Sequence, residues 1–574
     1  MSSTVFAVAV CLPKSGDCSN APVFPSRPEG EPDEGLGYFV SRLAVSSFWC
    51  YTLHAQKKDL QVNVVKLQKE ELFTNRMLLR LIFPLVIEQA LAALVGMCDG
   101  VMVSSAGEAA ISGVSLVDMI NNVIINLFAA LATGGAVITS QFLGARRREE
   151  AQRSAGQLVC MAAVFGLGVM AFCLFLAQGM LRLFFGSIEA DVMAAGLTYF
   201  RITALSFPFL ALYNAGAAIF RSMGNSKISM KVSLVMNVIN VGGNALCIYG
   251  LGMGVAGVAI PTLVSRAVAA VLILALAARP EQEVRLVPRN LIHFYPKMMG
   301  HILQIGIPSA FESCLFQLGR VVVVSMIALF GTTQTSANAV ANNLDSISII
   351  IGQAMGLAMI TVVGQCMGAG EPEQASRQTR KLMGWVYVAQ GLSNVLVIAG
   401  LPLLIGFYRS LSPETVALSR TLVLIHSVSA LVLWPAAFVL PNALRAAGDV
   451  RFTMTVSVAS MVLWRIGFSW ILCVKLGYGA TGVWIAMVLD WICRTAFFVW
   501  RFCSGVWKKK RLGGGWGWGG TYGEAGTGRP PLCRLGGDHD LVLPPGLHGV
   551  CHCRSGGGAQ GSADCGRRFL LFCR

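Results

Sequence analysis

The sequence predicts an all-α membrane protein with twelve transmembrane helices in two pseudo-symmetric six-helix bundles. Three observations support this fold class. Hydrophobic residues make up 55% of the 574 residues and charged residues only 13%, whereas a soluble domain carries about 25% charged residues. Long apolar segments of the length that a bilayer requires follow one another along the chain. Finally, the second half repeats sequence markers of the first half 224 residues later.

The repeat is defined by polar and turn-forming residues that recur at constant spacing. The markers Pro84, Glu88, Gln141, Gly144, Arg221 and Gly224 recur as Pro308, Glu312, Gln365, Gly368, Arg445 and Gly448. One inserted residue then restores the match between Gly252 and Gly477. A duplicated unit of this length predicts one lobe followed by its copy, not a small solenoid repeat. Two similar bundles around a central cleft are typical of secondary transporters.

Twelve apolar segments are each about 20 residues or longer, the length at which a helix crosses a bilayer. The first six predicted spans are residues 77–103, 115–142, 156–178, 193–220, 230–251 and 255–277. The second six are residues 300–329, 340–366, 383–406, 421–443, 453–474 and 481–502. These limits predict a first lobe at 71–278, a cytoplasmic loop at 279–298 and a second lobe at 299–511.

The distribution of positive charge predicts the orientation. Lys and Arg number 16 in the loops after spans 2, 4, 6, 8 and 10, counting Lys231 at the start of span 5, but only four in the loops after odd-numbered spans. Because cytoplasmic loops carry an excess of Lys and Arg, both chain ends are predicted in the cytoplasm of a multi-pass protein of the plasma (inner) membrane. Each unit has an even number of spans, so the two copies insert in the same direction as parallel repeats.

The ends of the chain differ in composition from the apolar body. Residues 1–70 are predicted to be disordered or a wrongly assigned start, and residues 512–574 a disordered or out-of-frame tail. The Cys and His residues of the tail match no zinc-finger spacing, so we expect no metal site. The net charge of +16 is explained by the cytoplasmic loops, and we expect no nucleic-acid partner. No HExxH, GxSxG or P-loop motif occurs, which argues against an enzyme.

Acidic residues inside the apolar spans are the first candidate site residues. Burying a charged group in a bilayer costs at least about 2.5–3.5 kcal/mol, so such a group must face a cavity or a partner. Glu88 and Glu312 each lie one turn after a proline that interrupts the helical hydrogen bonds. Asp99 lies eleven residues after Glu88, on nearly the same helix face. We expect these carboxylates to bind a coupling cation or cargo, the alternative being a hydrogen bond that only joins helices.

Amide residues form a second group of candidates. Asn237, Asn240 and Asn244 share one face of the fifth span, because their spacing is three, four and seven residues. They are expected either to ligate a cation or to hold the bundle together. Further polar residues near the outer side of spans 2 and 8 are expected to line the cavity or to mark the membrane boundary. These are Asn121, Asn122, Asn338, Asn342 and Asp345.

A third pair of motifs ends spans 2 and 8. Gln141 and Gly144 close the first of these spans, and Gln365 and Gly368 close the second. A glycine at this place is typical of a helix C-terminus. We interpret both motifs as structural or as part of an inner gate.

At these residues the chain resembles the multidrug and toxic compound extrusion (MATE) family of efflux transporters, prokaryotic type. The resemblance spans about residues 71–511 and rests on segments 82–89, 98–103, 306–312, 337–343 and 363–365. It implies a MATE/MOP-type fold with a V-shaped central cavity. It also implies export of cationic amphipathic compounds against inward H⁺ or Na⁺ flow, without a cofactor. We expect the protein to be a monomer in the lipid bilayer.

The resemblance also bears on single residues. Asp99 matches the first-helix aspartate that is central to cation coupling in the proton-coupled prokaryotic branch, and Asn240 matches an asparagine on helix 5. The aspartate four residues later in that branch is Asn244 here, which leaves sodium open as the coupling ion. The seventh-helix acid of the sodium branch lies at a different spacing, so Glu312 is only its analogue. The alternatives are a lipid-linked oligosaccharide flippase of the same superfamily and a non-transporting membrane scaffold.

Overall fold

The computed structural model describes residues 71–105, 107–186, 189–406 and 411–509, and the regular structure in these ranges is helical throughout. Eleven of the described helices are long and apolar enough to cross a membrane, and one bent pair raises the number to twelve. The predicted all-α membrane fold is therefore confirmed. The predictions for residues 1–70 and 512–574 lie outside the described residues.

The helices follow the predicted spans closely. The first half contains α1 (Asn75–Ser104), α2 (Glu108–Gly144), α3 (Arg148–Phe185), α4 (Ala190–Leu205), α5 (Phe207–Ser222), α6 (Ser226–Ala245), α7 (Ala256–Ala277) and the short α8 (Pro288–Ile292). The second half contains α9 (Pro296–Ala328), α10 (Thr332–Ser348), α11 (Ile350–Gly368), α12 (Pro372–Gly406), α13 (Pro413–Val432), α14 (Leu440–Ala446), α15 (Val450–Ser460) and α16 (Gly479–Cys503). Short π-helical segments cover Leu246–Gly250, Pro435–Val439, Met461–Phe468 and Trp470–Lys475.

The fourth predicted span is the bent pair, α4 and α5, whose axes meet at 45°. The break falls at Ser206, and Pro208 occupies the first turn of α5, where its missing N–H costs no helical hydrogen bond. The freed polar groups at the bend are satisfied locally, because the Ser206 hydroxyl donates to the Thr203 carbonyl. The bend places Ser206 inside the bundle, where it accepts a hydrogen bond from Arg266 of α7 at 2.7 Å.

The residue inserted in the second copy has a structural counterpart. Both copies contain a π-helical segment at equivalent places, Leu246–Gly250 and Trp470–Lys475. Only the second copy has the additional π-helical segment Met461–Phe468 just before it. A π-turn accommodates one extra residue within a continuing helix. The insertion therefore widens the helix locally and leaves the rest of the repeat in register.

The segments that precede α1 and α9 are each held by a distant helix. The Leu72 N–H donates to Oε1 of Gln374, and Gln378 donates to the Phe73 carbonyl, so the segment before α1 is held by α12 of the second lobe. The loop before α9 is held by α3, because Gln157 donates to the carbonyls of Asn290 and His293. The lobe limits 71–278 and 299–511 stay predictions.

The two lobes meet most closely at the C-terminal ends of α2 and α11. A Cβ atom on Gly144 would collide with the backbone of Gln365, and one on Gly368 would collide with the backbone of Gln141. These four residues form what we call the interlobe contact. Both glycines are needed because the helix backbones approach each other too closely for any side chain.

Replacing Gly144 by Ala tests this close approach. The added methyl group has no room, so we expect an overpacking cost of about 1–3 kcal/mol and a lower melting temperature of the purified protein. Gly168→Ala in α3 is the matched control, because nothing lies within 4 Å of the added Cβ there. If Gly144→Ala melts at the same temperature as the control, the close contact between the lobes is wrong.

Candidate functional site

A polar cluster around Asp99 lies between α1, α6 and α7. Asn244 donates its side-chain amide to Oδ1 of Asp99 at 2.7 Å. Asn240, one turn earlier on α6, donates to the Thr262 hydroxyl of α7 at 2.9 Å. The structure therefore brings the sequence-predicted residues Asp99, Asn240 and Asn244 together through one chain of hydrogen bonds.

This cluster continues toward α2, α4 and α7. Tyr199 donates its hydroxyl to Oδ1 of Asp118 at 3.1 Å. The Arg266 guanidinium interacts electrostatically with Asp99 and Asp118. We call Asp99, Asp118, Tyr199, Asn244 and Arg266 the first-lobe cluster. Its two carboxylates and one guanidinium leave it with one formal negative charge in excess.

One acceptor in this cluster has no partner. Oδ1 of Asn244 is buried and makes no hydrogen bond to any described residue. A buried amide oxygen without a donor is costly, because its interaction with water is lost and nothing replaces it. Together with the carboxylate of Asp99, it offers two oxygen atoms to a small cation. Oxygen ligands of this kind suit hard cations.

Glu88 and Glu312 lie in a different environment from Asp99. Glu88 pairs with Arg221 of α5 at 3.2 Å and accepts a 2.7 Å hydrogen bond from Ser229. Glu312 pairs in the same way with Arg445 of α14. Both pairs join residues 133 positions apart, so the repeat conserves the pair as a unit. Each carboxylate has a buried counter-charge, and its role in cation coupling stays a prediction.

The second ion pair is less completely satisfied than the first. Oε2 of Glu312 and Nε of Arg445 are buried and lack a hydrogen-bond partner among the described residues. Arg445 instead donates to Oδ1 of Asn442 at 2.9 Å. The repeat therefore preserves the charge pair but not all of its hydrogen bonds.

The amides expected to line a cavity mostly bind their own or a neighbouring helix. Asn121 and Asn122 both donate to Asp118, to its carboxylate and its carbonyl respectively. Asn338 accepts from the Trp484 indole at 3.0 Å, and Asn342 donates to the Asn338 carbonyl. In Asn237, the buried amide nitrogen lacks a partner among the described residues. Of the described amides that were expected to line a cavity, Asn121 and Asn122 are therefore the two that bond to an acidic residue of the first-lobe cluster, Asp118.

The interlobe contact is reinforced by two hydrogen bonds related by the repeat. Gln141 donates to the Ala446 carbonyl at the end of α14, at 2.8 Å. Gln365 donates to the Ser222 carbonyl at the end of α5, at 2.7 Å. Each glutamine thus caps a helix end of the opposite lobe. The residues predicted as an inner gate or structural motif are held together here.

A second cluster of charged residues, most of them buried, lies in the second lobe. It consists of Arg320, Asp345, His426, Arg465, Asp490 and Arg494, which we call the second-lobe cluster. Nδ1 of His426 lies 2.8 Å from Oδ1 of Asp345, and Arg494 donates to Asp490 at 2.9 Å. Asp345 was expected in the cavity lining; the structure sets it in a mostly cationic environment, with Arg320 and Arg465 in electrostatic range.

Several of these residues were missed as site residues by the sequence reasoning. Arg266 and His426 are polar residues inside apolar segments, so the sequence did contain a signal that could have identified them. Tyr199 has no such signal, because tyrosine is common in apolar helices. Its role becomes visible only through the contact with Asp118, 81 positions away.

Comparison with known proteins agrees with the repeat and the fold. The MatE family model matches residues 84–246 and again residues 308–471, together more than half of the chain. The transporter YisQ of Bacillus subtilis (strain 168), described as uncharacterized, is 28% identical over 444 residues, which are 76% of this chain and 95% of that protein. The probable multidrug resistance protein NorM of Thermotoga maritima is 26% identical over 457 residues, 78% of this chain and 96% of its own.

Solved structures share the same architecture. An outward-facing multidrug resistance MATE family transporter superimposes with a TM-score of 0.71 at 20% identity, covering 76% of this chain and 96% of that chain. A MOP superfamily transporter from Pyrococcus furiosus gives the same TM-score at 21% identity and the same coverage. At this identity the likeness establishes the fold. With its family model matched twice, the chain belongs to the MatE family, which is a family of transporters and not of enzymes.

Proposed function

We propose that this protein exports amphipathic organic compounds by antiport against an inward flow of H⁺ or Na⁺. Multidrug efflux is supported by the relatives, several of which are described as probable multidrug resistance proteins. The coupling mechanism is supported by one observation in particular. Asp99 is a carboxylate inside a membrane helix with an amide partner, Asn244, but no directly bonded counter-charge among the described residues, and the amide oxygen of Asn244 is buried without a partner among them.

The chemistry of this site fits a small coupling cation. A proton neutralises Asp99 directly, and a sodium ion is held by the carboxylate together with the free oxygen of Asn244. Either ion cancels the excess negative charge of the first-lobe cluster and so reduces the cost of keeping it inside the membrane. A ligand shifts a conformational equilibrium only by binding one state better than the other. A cation bound to Asp99 therefore drives transport if its site exists in only one state.

Alternating access requires that the interlobe contact open and re-form. Its two glutamine bonds and two glycine contacts lie at helix ends, and the packing of α9 against Gly134 in α2 must loosen with them. The positive-inside distribution of Lys and Arg supports a cytoplasmic position for this end, and hence cytoplasmic chain ends in a plasma (inner) membrane. In this arrangement the closed contact prevents cargo from returning to the cytoplasm. A monomer suffices, since both lobes belong to one chain.

Cargo recognition follows from the charge of the first-lobe cluster. Its excess negative charge attracts compounds with a positively charged group, as expected for the cationic amphipathic cargo of the family resemblance. Cargo and coupling cation then compete for Asp99, and this competition makes exchange of one for the other obligatory. A scaffold without transport activity has no use for such an unneutralised carboxylate.

Asp99→Asn tests the coupling site. We add a fluorescent cationic dye to everted vesicles, whose cytoplasmic face is outward, impose sodium and pH gradients separately, and follow dye uptake into the lumen. The wild-type protein is expected to respond to one of the gradients. The response of the variant should be at least about tenfold smaller, because the substituted asparagine can neither be protonated nor supply a charged ligand. A tenfold change corresponds to about 1.4 kcal/mol of cation-binding free energy.

The control for this experiment is Asp191→Asn, which removes an exposed acid in the first turn of α4. It should retain the full response. Dye movement in the wild-type protein that ignores both gradients would contradict antiport itself. An unchanged response in Asp99→Asn would instead contradict the assignment of the coupling site.

Glu88→Gln separates a structural ion pair from a coupling site. Loss of one partner of a buried ion pair costs about 3–5 kcal/mol, so we expect a large decrease in melting temperature for Glu88→Gln and for Arg221→Gln. The double variant should be less destabilised than the sum of both, because no unpaired charge remains. Glu149→Gln is the control, since the Glu149 side chain is 82% exposed and surface pairs contribute at most about 1 kcal/mol.

A different result would restore the coupling role for Glu88. If Glu88→Gln melts like the wild-type protein but no longer responds to the imposed gradient, the carboxylate acts in coupling. The same comparison applies to Glu312 and Arg445 in the second lobe.

A further inference from the structure

The interiors of the two lobes carry opposite charge. The first-lobe cluster has two carboxylates and one guanidinium. The second-lobe cluster has three guanidinium groups and two carboxylates, besides His426. The duplication therefore gave two similar bundles whose buried charges have opposite signs. This difference is unlike the Glu–Arg pairs near the interlobe contact, which are the same in both lobes.

The sequence repeat shows where the inversion occurs. Val323 stands at the position that matches Asp99, because the constant spacing of 224 residues applies there. The inserted residue falls between Met230 and Leu251, so Asn240 corresponds to Trp464 or to Arg465, neither of which offers an oxygen ligand. The described part of the second lobe therefore does not repeat the pair of oxygen ligands at Asp99 and Asn240, and the guanidinium of Arg465 lies in this region instead.

Two of the three arginines are not neutralised by direct partners. Arg494 is fully engaged, since it donates to Asp490 at 2.9 Å and to the Ser457 carbonyl at 3.1 Å. Arg465 lies only within 3.9 Å of Asp490, and its Nε atom is buried without a hydrogen-bond partner among the described residues. The guanidinium groups of Arg465 and Arg494 thus share the single negative charge of Asp490.

Arg320 is the third arginine, and it has still fewer contacts. It is exposed in the C-terminal third of α9, and it makes no hydrogen bond or ion pair with any residue that the structure describes. Its electrostatic neighbours are Asp345 and Arg465. Asp345 itself lies against His426, so its negative charge does not neutralise Arg320 alone. An exposed guanidinium inside a membrane segment needs water or an anion beside it.

Aromatic rings border the same arginines. The guanidinium carbon of Arg465 lies 5.4 Å from the ring centre of Phe316, and that of Arg494 lies 5.4 Å from the ring of Phe438. Trp491 packs edge-on against both His426 and Phe438. Cationic groups with aromatic neighbours suit a ligand that is both anionic and partly apolar, because the rings contact its hydrocarbon while the guanidinium groups bind its charge.

We propose that Arg320 and Arg465 form a binding site for the acidic group, a carboxylate or phosphate, of an amphipathic organic cargo. The guanidinium forks match the planar or tetrahedral oxygen atoms of such groups. This inference rests on the proposed transport function and extends its cargo from cationic compounds to acidic and zwitterionic ones. A zwitterion has a positively charged group that suits the first-lobe cluster and a negatively charged group that suits the second-lobe cluster.

The test measures binding at equilibrium, with no gradient present. The full chain is placed in nanodiscs of phosphatidylcholine, and fluorescence anisotropy follows the organic acid fluorescein and, separately, the cation ethidium. Arg465→Gln and Arg320→Gln should each weaken fluorescein binding by about tenfold or more, the usual effect of losing a charge-assisted hydrogen bond. Ethidium binding should remain unchanged. Arg320→Lys, which keeps the charge, should retain part of the fluorescein affinity.

Arg420→Gln is the matched control, because Arg420 is an exposed arginine of the same lobe, on α13. It should bind both dyes like the wild-type protein. Gel filtration verifies that each variant is folded; Asp490 keeps its partner Arg494 in Arg465→Gln, so we expect an intact bundle. If the wild-type protein binds no fluorescein, or both arginine variants bind it as tightly as the wild type, the proposal is wrong.

Two further outcomes are informative. One distinguishes a lipid phosphate from an organic acid as the bound group, and the other distinguishes failure of this binding site from failure of the proposed antiport. Displacement of fluorescein by phosphatidylglycerol added to the nanodiscs, but not by soluble organic acids, would identify a lipid phosphate and overturn the organic-acid assignment. Because no gradient is used, a failure of antiport in the Asp99 experiment leaves the binding result standing. Conversely, failure of fluorescein binding leaves cation-coupled export of cationic dyes intact.

Discussion

The cost of keeping charge inside a membrane governs this structure. Each charged side chain in a spanning helix must gain a counter-charge, a set of hydrogen bonds or access to water, or the helix is destabilised by several kcal/mol. Glu88 and Glu312 gain arginines, and Asp490 gains Arg494 together with the Ser460 hydroxyl. The backbone has already satisfied its own hydrogen bonds within the helices. The placement of a few side chains therefore decides how the helices associate and which sites remain reactive.

The degree of satisfaction separates two kinds of buried charge. A carboxylate that already holds a guanidinium and a hydroxyl, as Glu88 does, has little to gain from a passing cation. Asp99 has one amide hydrogen bond, and the acceptor next to it is unpaired. Its energy changes strongly when a cation arrives, which is what a coupling site requires. The same reasoning distinguishes the engaged Arg494 from the incompletely paired Arg465.

The sequence was sufficient for the fold but only in part for the candidate site. Hydropathy and the repeat predicted the spans, because helix length and apolar content are local properties; span 8 is divided between α10 and α11 around Ile349. The pairing of Glu88 with Arg221 was not predicted, since it joins residues 133 positions apart on helices whose rotation the sequence does not specify. Asn244 and Asp99 were both predicted as residues of one site, but their direct contact over 145 positions came from the structure.

Symmetry and asymmetry serve different purposes in a duplicated transporter. The interlobe contact is built from the same glutamine, glycine and helix end in each lobe, so in the proposed alternating-access cycle both halves would release together. A pump needs in addition a direction, and two identical lobes would bind the coupling ion and the cargo equally. The second copy has Val323 in place of Asp99, and its charged cluster contains three arginines, which breaks this equivalence. The lobes thus share one mechanism of closure while their interiors favour ligands of opposite charge.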